Sequence, residues 1–184
     1  YELAEPLFDR SLNIRKKVHG ETHRLVAATR NNLAQLYFIT GRLSMAWDAQ
    51  NEALSTWRIT VGKDHPDLAT ALNNVGSLFQ HAGKYKKAEE HFRNALGLRV
   101  AALGENHPDL ASSKNNLAML LLDIGKIDES KPLLREALAS RKKVFGKLHP
   151  QVASTFHNLG LAEYAQALQE PEQALTATML KEKE

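Results

Sequence analysis

Apolar residues recur at helical spacing along this 184-residue chain. Between Pro66 and Gly83, residues Leu68, Ala69, Leu72, Val75, Gly76, Leu78 and Phe79 follow steps of three and four. Such a stripe marks a helix with one buried side. Pro66 suits the first helical turn, where its missing N–H is not needed, and Asp67 beside it favours the positive helix end. Gly83 can take the left-handed conformation that closes a helix. The stripe then resumes with Tyr85, Ala88, Phe92, Ala95, Leu96 and Leu98, and Gly104 ends it. No segment alternates residue by residue as a half-buried strand would.

This unit of two helices is written several times. His23, His65, His107 and His149 are spaced by 42 residues, as are Gly20, Gly62, Gly104 and Gly146. Ala27, Ala69, Ala111 and Ala153 keep the same step, and so do Asn32, Asn74, Asn116 and Asn158. A fixed period of this length is the signature of a stacked repeat protein. The pattern predicts a first helix (A) at about 24–39, 66–82, 108–124 and 150–166. A second helix (B) is predicted at about 43–60, 85–102 and 127–144, with a lone B helix at 2–18. The expected organisation is one repeat domain over 1–184: a half repeat at 1–20, full repeats at 21–62, 63–104 and 105–146, and a degenerate capping repeat at 147–184.

One helix pair cannot bury both of its apolar sides, but a series of pairs buries them against one another. Small columns would let helices approach: Ala34, Gly76, Ala118 and Gly160 in helix A, and Ala53, Ala95 and Ala137 in helix B. Phe8, Tyr37, Phe79 and Phe92 would fill the spaces beside them. The last unit departs from the pattern. Ala167 replaces the turn glycine of Gly41, Gly83 and Gly125, and Gln169 and Glu170 look like an insertion. Glu172–Lys183 is expected to form the last B helix, and the final KEKE a solvated tail. The chain opens midway through a repeat, as a piece of a longer protein would.

The combination "NNLA.LY…GKY..AE..F..AL..R...LG..HP" resembles tetratricopeptide repeats, and the 42-residue form with its LGENHPDLA linker is similar to kinesin light chain. Long repeats of this kind also resemble nephrocystin-type proteins and the sensor regions of signalling ATPases. The resemblance spans about residues 2–166 and implies an all-α, right-handed α-solenoid of antiparallel helix hairpins. No heptad segment of the kind that joins a light chain to its heavy chain is present.

The paired asparagines are the candidate chemistry. Asparagine is a mediocre helix former, because its amide competes with the backbone. Asn31, Asn73 and Asn115 read as structural amides that fix the stacking of neighbouring helices. For Asn32, Asn74, Asn116 and Asn158 the resemblance implies a concave face on which they hold the backbone of an extended peptide. An amide offers both donor and acceptor, whatever the peptide's side chains. By the same resemblance Arg15, Arg99 and Arg141 would meet acidic residues of the peptide. Guanidinium forks suit carboxylates, although a cation near a helix C-terminus is also favourable in its own right. Trp57 interrupts this column, as a packing residue or as an aromatic contact surface. Small residues one turn before the asparagines (Ala28, Thr70, Ser112 and Ser154) leave room for a guest, and Met119 and Leu161 would offer it an apolar anchor site.

Composition narrows the classes. The formal net charge of +3 does not call for a nucleic-acid partner. The chain has no cysteine, hence no disulfide framework or thiolate zinc site. No apolar run approaches the roughly 20 residues of a membrane span, and no leader pattern opens the chain. The linker histidines are separated by whole repeats, too far apart to share a metal, and read instead as caps of helix A. Arg30 and Lys114 share a column with Leu72 and Phe156, a poor carboxylate clamp. No phosphate loop or catalytic set is present.

The expectation is therefore a protein-binding module, not an enzyme, without cofactor or metal. Its partner would be an extended peptide of acidic and aromatic character. By resemblance it would act in cytoplasmic cargo or adaptor recognition, with kinesin heavy chain met through regions absent from this sequence. The alternative is a partner-sensing or scaffolding region of a larger signalling protein.

Overall fold

The computed structural model describes residues 1–61, 65, 67–105 and 107–181, with side chains for all of these except 67 and 170–181. Among them the chain forms eight helices and no strand. The A helices are α2 (Arg24–Ile39), α4 (Asp67–His81), α6 (Leu110–Asp123) and α8 (Pro150–Lys181). The B helices are α1 (Ala4–His19), α3 (Leu43–Val61), α5 (Tyr85–Leu103) and α7 (Ile127–Phe145). Pro66 and Gly62, read above as helix-start and linker residues, lie outside the described residues, as do Lys63, Asp64 and Asn106.

The turn between A and B is the same each time. Gly41, Gly83 and Gly125 adopt φ of 76°, 69° and 77°. In the first turn the Arg42 N–H donates to the Tyr37 carbonyl at 2.8 Å and the Gly41 N–H to the Phe38 carbonyl at 3.1 Å. This pair of bonds ends an α-helix and satisfies its last carbonyls, and it requires a left-handed residue that glycine supplies without strain. Lys84 and Gly83 repeat it, as do Lys126 and Gly125.

Two compact units arise, Tyr1–Glu105 and Asn106–Glu184. In the first, α2 packs on α3 and α4 on α5, with α1 against α2 and α3 against α4. Its core holds Ala27, Ala53, Leu54, Trp57, Leu68, Ala71, Leu72, Val75 and Ala95, and a neighbouring cluster joins Leu33, Tyr37, Ala46 and Leu78 to Phe8 and Trp47. The small column works as expected at Gly76, where an added Cβ would stand 2.8 Å from the Phe92 ring. In the second unit, α6 packs on α7 and α7 on α8, around Ala118, Leu134 and Ala162.

The last hairpin corrects the sequence reading. Glu172–Lys183 was expected to fold back as a separate B helix, but α8 runs unbroken from Pro150 to Lys181. The reason lies at Ala167. Without glycine at the turn position the left-handed step is strained, and the helix simply continues. The tail residues 182–184 lie outside the described residues.

Candidate functional site

The second asparagine of each A helix lies in a strip of exposed and half-buried residues. In the first unit the strip carries Ala28, Asn32 and Gln35 on α2 and Thr70, Asn74 and Ser77 on α4. In the second it carries Ser112, Asn116 and Met119 on α6 and Ser154, Asn158 and Leu161 on α8. Asn32 is exposed, and Asn74, Asn116 and Asn158 are half-buried. Asn31 and Asn73 are buried, and Asn115 is half-buried.

In two places the second asparagine of one repeat bonds the first asparagine of the repeat before it. Asn74 Nδ2 donates to Asn31 Oδ1 at 2.8 Å, and Asn158 Nδ2 donates to Asn115 Oδ1 at 2.9 Å. Asn31 Oδ1 also accepts from Gln50 Nε2 at 3.2 Å. Gln50 is fully buried in the column occupied elsewhere by Phe8, Phe92 and Leu134. It donates further to the Ala71 carbonyl at 3.4 Å. Asn31 and Asn115 thus accept across repeats, as expected of structural amides, while Asn73 Nδ2 donates to the Ala69 carbonyl of its own helix at 3.0 Å. Asn74 and Asn158 each give up one N–H and keep another N–H and the oxygen.

The arginine column packs across helices. Arg15 Nη1 donates to Thr29 Oγ1 at 2.7 Å and to the Leu25 carbonyl at 3.1 Å. Arg141 Nη1 repeats this with Thr155 Oγ1 at 2.6 Å and the Gln151 carbonyl at 3.3 Å. Arg99 Nη2 donates to Thr70 Oγ1 at 3.0 Å. Arg141 is only 9% exposed. Burial lowers its pKa from the ordinary arginine value. Neither Arg15 nor Arg141 has a carboxylate within ion-pair distance among the described residues.

Sequence reasoning missed the hydroxyl partners, although the signal is there. Thr29 and Thr155 each follow their arginine by 14 residues. Where the arginine becomes Trp57, the hydroxyl becomes Ala71. Trp57 is 5% exposed and packs in the core with Ala71. It still forms one wall of a cavity of about 270 Å³, with Arg24, Leu25, Ala28, Asn31, Asn32 and Thr70. Of the predicted residues, Asn32 and Trp57 meet here. A second depression, about 480 Å³, lies between α3, α4 and α5 and is lined by Leu54, Arg58, Leu72, Arg93, Gly97 and Leu98.

Other charged and imidazole groups have structural tasks. Arg30–Glu52 at 2.7 Å and Lys114–Glu136 at 2.7 Å each tie an A helix to its B helix, and Arg30 also holds Glu21 of the preceding linker at 2.9 Å. His23, His107 and His149 accept at Nδ1 from the backbone N–H two residues on, at 3.2 Å in each case. His23 and His149 thereby cap α2 and α8 in the way serine or aspartate usually does, while the His107 bond closes the turn before α6. Among the described residues no cluster of His, Asp or Glu could hold a metal, and no helix is long and apolar enough to cross a membrane.

The tetratricopeptide repeat family model matches residues 1–59, 46–99, 67–143 and 109–177, nearly the whole chain. The chain belongs to the tetratricopeptide repeat family. No curated protein matches it by sequence. Among solved structures, BtubC (BKLC) from P. vanneervenii is 26% identical with a TM-score of 0.76, over 97% of this chain and 74% of that one. Kinesin light chain-like TPR repeats of Podosopora anserina are similar at 21% identity and a TM-score of 0.69, over 96% of this chain and 83% of theirs. A point variant of the same protein gives 21% and 0.71, over 96% and 84%. The tetratricopeptide fold is a protein-interaction scaffold, and this chain is a protein–protein interaction module of that family.

Proposed function

We propose that within each unit the asparagine-bearing strips of the A helices form a surface that captures an extended, partly acidic peptide. The observation that carries this reading is the half-used asparagine. Asn74 and Asn158 each commit one N–H to the preceding repeat, which fixes the amide, and leave an acceptor and a donor at the surface. A guest backbone needs that pair of groups. The fixed amide has lost its rotamer freedom before the guest arrives, so less entropy is lost on binding.

Charge supports the acidic part. Arg15 and Arg141 hold hydroxyls and carbonyls but no carboxylate, so a peptide acid reaching either would meet an uncompensated cation. The cavity beside Asn32 and Trp57 suits an apolar or aromatic anchor. The kinesin light chain-like class favours cargo or adaptor recognition in the cytoplasm over a sensor region of a signalling protein, and leaves kinesin heavy chain as a partner of other segments.

Fluorescence polarisation with an acidic, Trp-containing peptide tests the reading. Asn74→Ala and Arg99→Ala are each expected to weaken binding about 3- to 10-fold, the loss of one to two hydrogen bonds. Neutralising the peptide's acids should weaken it further. Affinity that neither substitution nor neutralisation changes, with the helical fold intact, sinks the peptide reading.

A further inference from the structure

Ion pairs close the seam between helix A and helix B in the first and third repeats. Arg30 Nε meets the Glu52 carboxylate at 2.7 Å, and Arg30 Nη1 donates to Thr56 Oγ1 at 3.3 Å. The Arg30 side chain, laid along the seam, is only 11% exposed. Lys114 and Glu136 do the same between α6 and α7 at 2.7 Å. The second repeat breaks these columns. Leu72 stands in place of the cation, Asn94 in place of the acid, and Leu98 in place of Thr56. Beside them on α5 is Gly97, where the other B helices have Asn13, Ser55 and Ala139.

The depression of about 480 Å³ between α3, α4 and α5 lies where that ion pair is missing. Leu54, Leu68 and Leu72, all buried, give it an apolar floor together with Leu98. Gly97 keeps it open, since a Cβ there would meet nothing within 4 Å. Its rim is polar and exposed, formed by Arg58, Arg93 and Asn94. Arg93 holds Glu89 of its own helix at 2.8 Å. Arg58 has no ion pair or hydrogen bond among the described residues, whereas Lys16, its counterpart in the first repeat, holds Glu21 at 3.3 Å. Leu72 precedes Asn74 by two residues, about 200° around α4. The depression therefore opens on a different side of that helix from the asparagine strip.

We propose that this depression is a docking site for a partner protein, from which it takes an apolar side chain flanked by a carboxylate. The side chain rests against Leu54, Leu72 and Leu98, and the carboxylate meets Arg58. The guest supplies what the other repeats carry themselves, since Glu52 and Glu136 place an acid at the same seam. A concave apolar floor with a few polar groups around it is the usual form of a binding pocket. Charge selects the guest. Arg58 offers an uncompensated guanidinium at the edge of an apolar surface, and a guanidinium fork takes a carboxylate through two parallel hydrogen bonds. Asn94, in place of the acid, adds an amide and no repulsion. The site stands apart from the asparagine strip and does not rest on the peptide reading of that strip.

NMR titration of the isotope-labelled chain with an acetylated Gly-Leu-Asp-Gly amide tests this. The backbone signals of Gly97 and Leu98 and the Nε–H signal of Arg58 should shift together, with a dissociation constant of about 1 mM for so small a guest. Arg58→Gln, at an exposed site, should weaken binding about 3- to 10-fold, and so should asparagine in place of the peptide's aspartate. Gly97→Leu has open space for its side chain, so it should keep the wild-type circular dichroism while filling the depression and abolishing binding. Asn74→Ala should leave these shifts as they are, which separates this site from the asparagine strip. Signals that stay in place up to about 10 mM peptide overturn the proposal. So does binding that survives Gly97→Leu, or equal binding of the aspartate and asparagine peptides.

Discussion

Asn74 reaches back one repeat to hold Asn31, its Nδ2 donating to Oδ1 at 2.8 Å, and Asn158 holds Asn115 in the same way. Asn31 and Asn115 accept inside the stack, and Asn74 and Asn158 keep an N–H and an oxygen to spare.

This division predicts opposite phenotypes. Asn31→Ala removes the acceptor shared by Gln50 and Asn74, leaving the buried Gln50 amide with one long contact to the Ala71 carbonyl. An unsatisfied buried donor costs about 1–3 kcal/mol. Asn74→Ala removes one part-buried bond and should cost about 0.5–1.5 kcal/mol. Urea unfolding should rank Asn31→Ala as the more damaging, while peptide titration should rank Asn74→Ala so.

Two helical glycines should respond in opposite directions. Gly97→Ala meets nothing within 4 Å on α5 and should stabilise by about 0.5–1 kcal/mol through helix propensity. Gly76→Ala drives a methyl to 2.8 Å from the fully buried Phe92 ring, and overpacking of that kind costs about 1–3 kcal/mol. Thermal melts of the two variants should therefore move apart from the wild type, Gly97→Ala upward and Gly76→Ala downward.

Glu163 gives a pH signature. Hydrogen bonding and charge from Lys131, with Arg135 adding to them, lower its carboxyl pKa below the ordinary 4.5. A depressed folded-state value means that the α7–α8 tie is complete above the unfolded pKa and is lost as pH falls through the lower folded one. Carboxylate NMR should place the Glu163 midpoint below 4.5, and Lys131→Gln should raise it. A midpoint that Lys131→Gln leaves unmoved contradicts the assignment.

Much of this was legible because the period is strict. Helix α2 was read at 24–39 and forms at Arg24–Ile39, since a histidine cap opens it and Gly41 closes it, and both are local signals. The caps at His23 and His149 and the structural role of Asn31 followed from recurrence, whereas α6 starts at Leu110, two residues later than read. The end of the chain was misread because the expected fold-back of Glu172–Lys183 relied on analogy with earlier repeats, whereas the turn depends on one backbone conformation that Ala167 does not favour. The arginine–hydroxyl bonds escaped notice because their partners lie 14 residues apart on different helices, and only a comparison between columns reveals the pairing.

That pairing yields the sharpest test. The chain has Arg15 with Thr29 and Arg141 with Thr155, but Trp57 with Ala71. Trp57→Arg alone should cost about 3–5 kcal/mol, because it empties a packed aromatic site and strands a buried guanidinium opposite a methyl group. Adding Ala71→Thr restores the hydroxyl that Arg15 and Arg141 each possess. If the column works as a unit, the double variant should be more stable than the sum of the single changes by about 1–2 kcal/mol, within the range measured for residues in contact. A strictly additive cycle, measured by urea unfolding of all four proteins, would mean that arginine and hydroxyl co-occur without supporting one another. The same cycle reports on function, since a new arginine beside Asn32 should raise affinity for an acidic peptide only when it is held in place by the threonine.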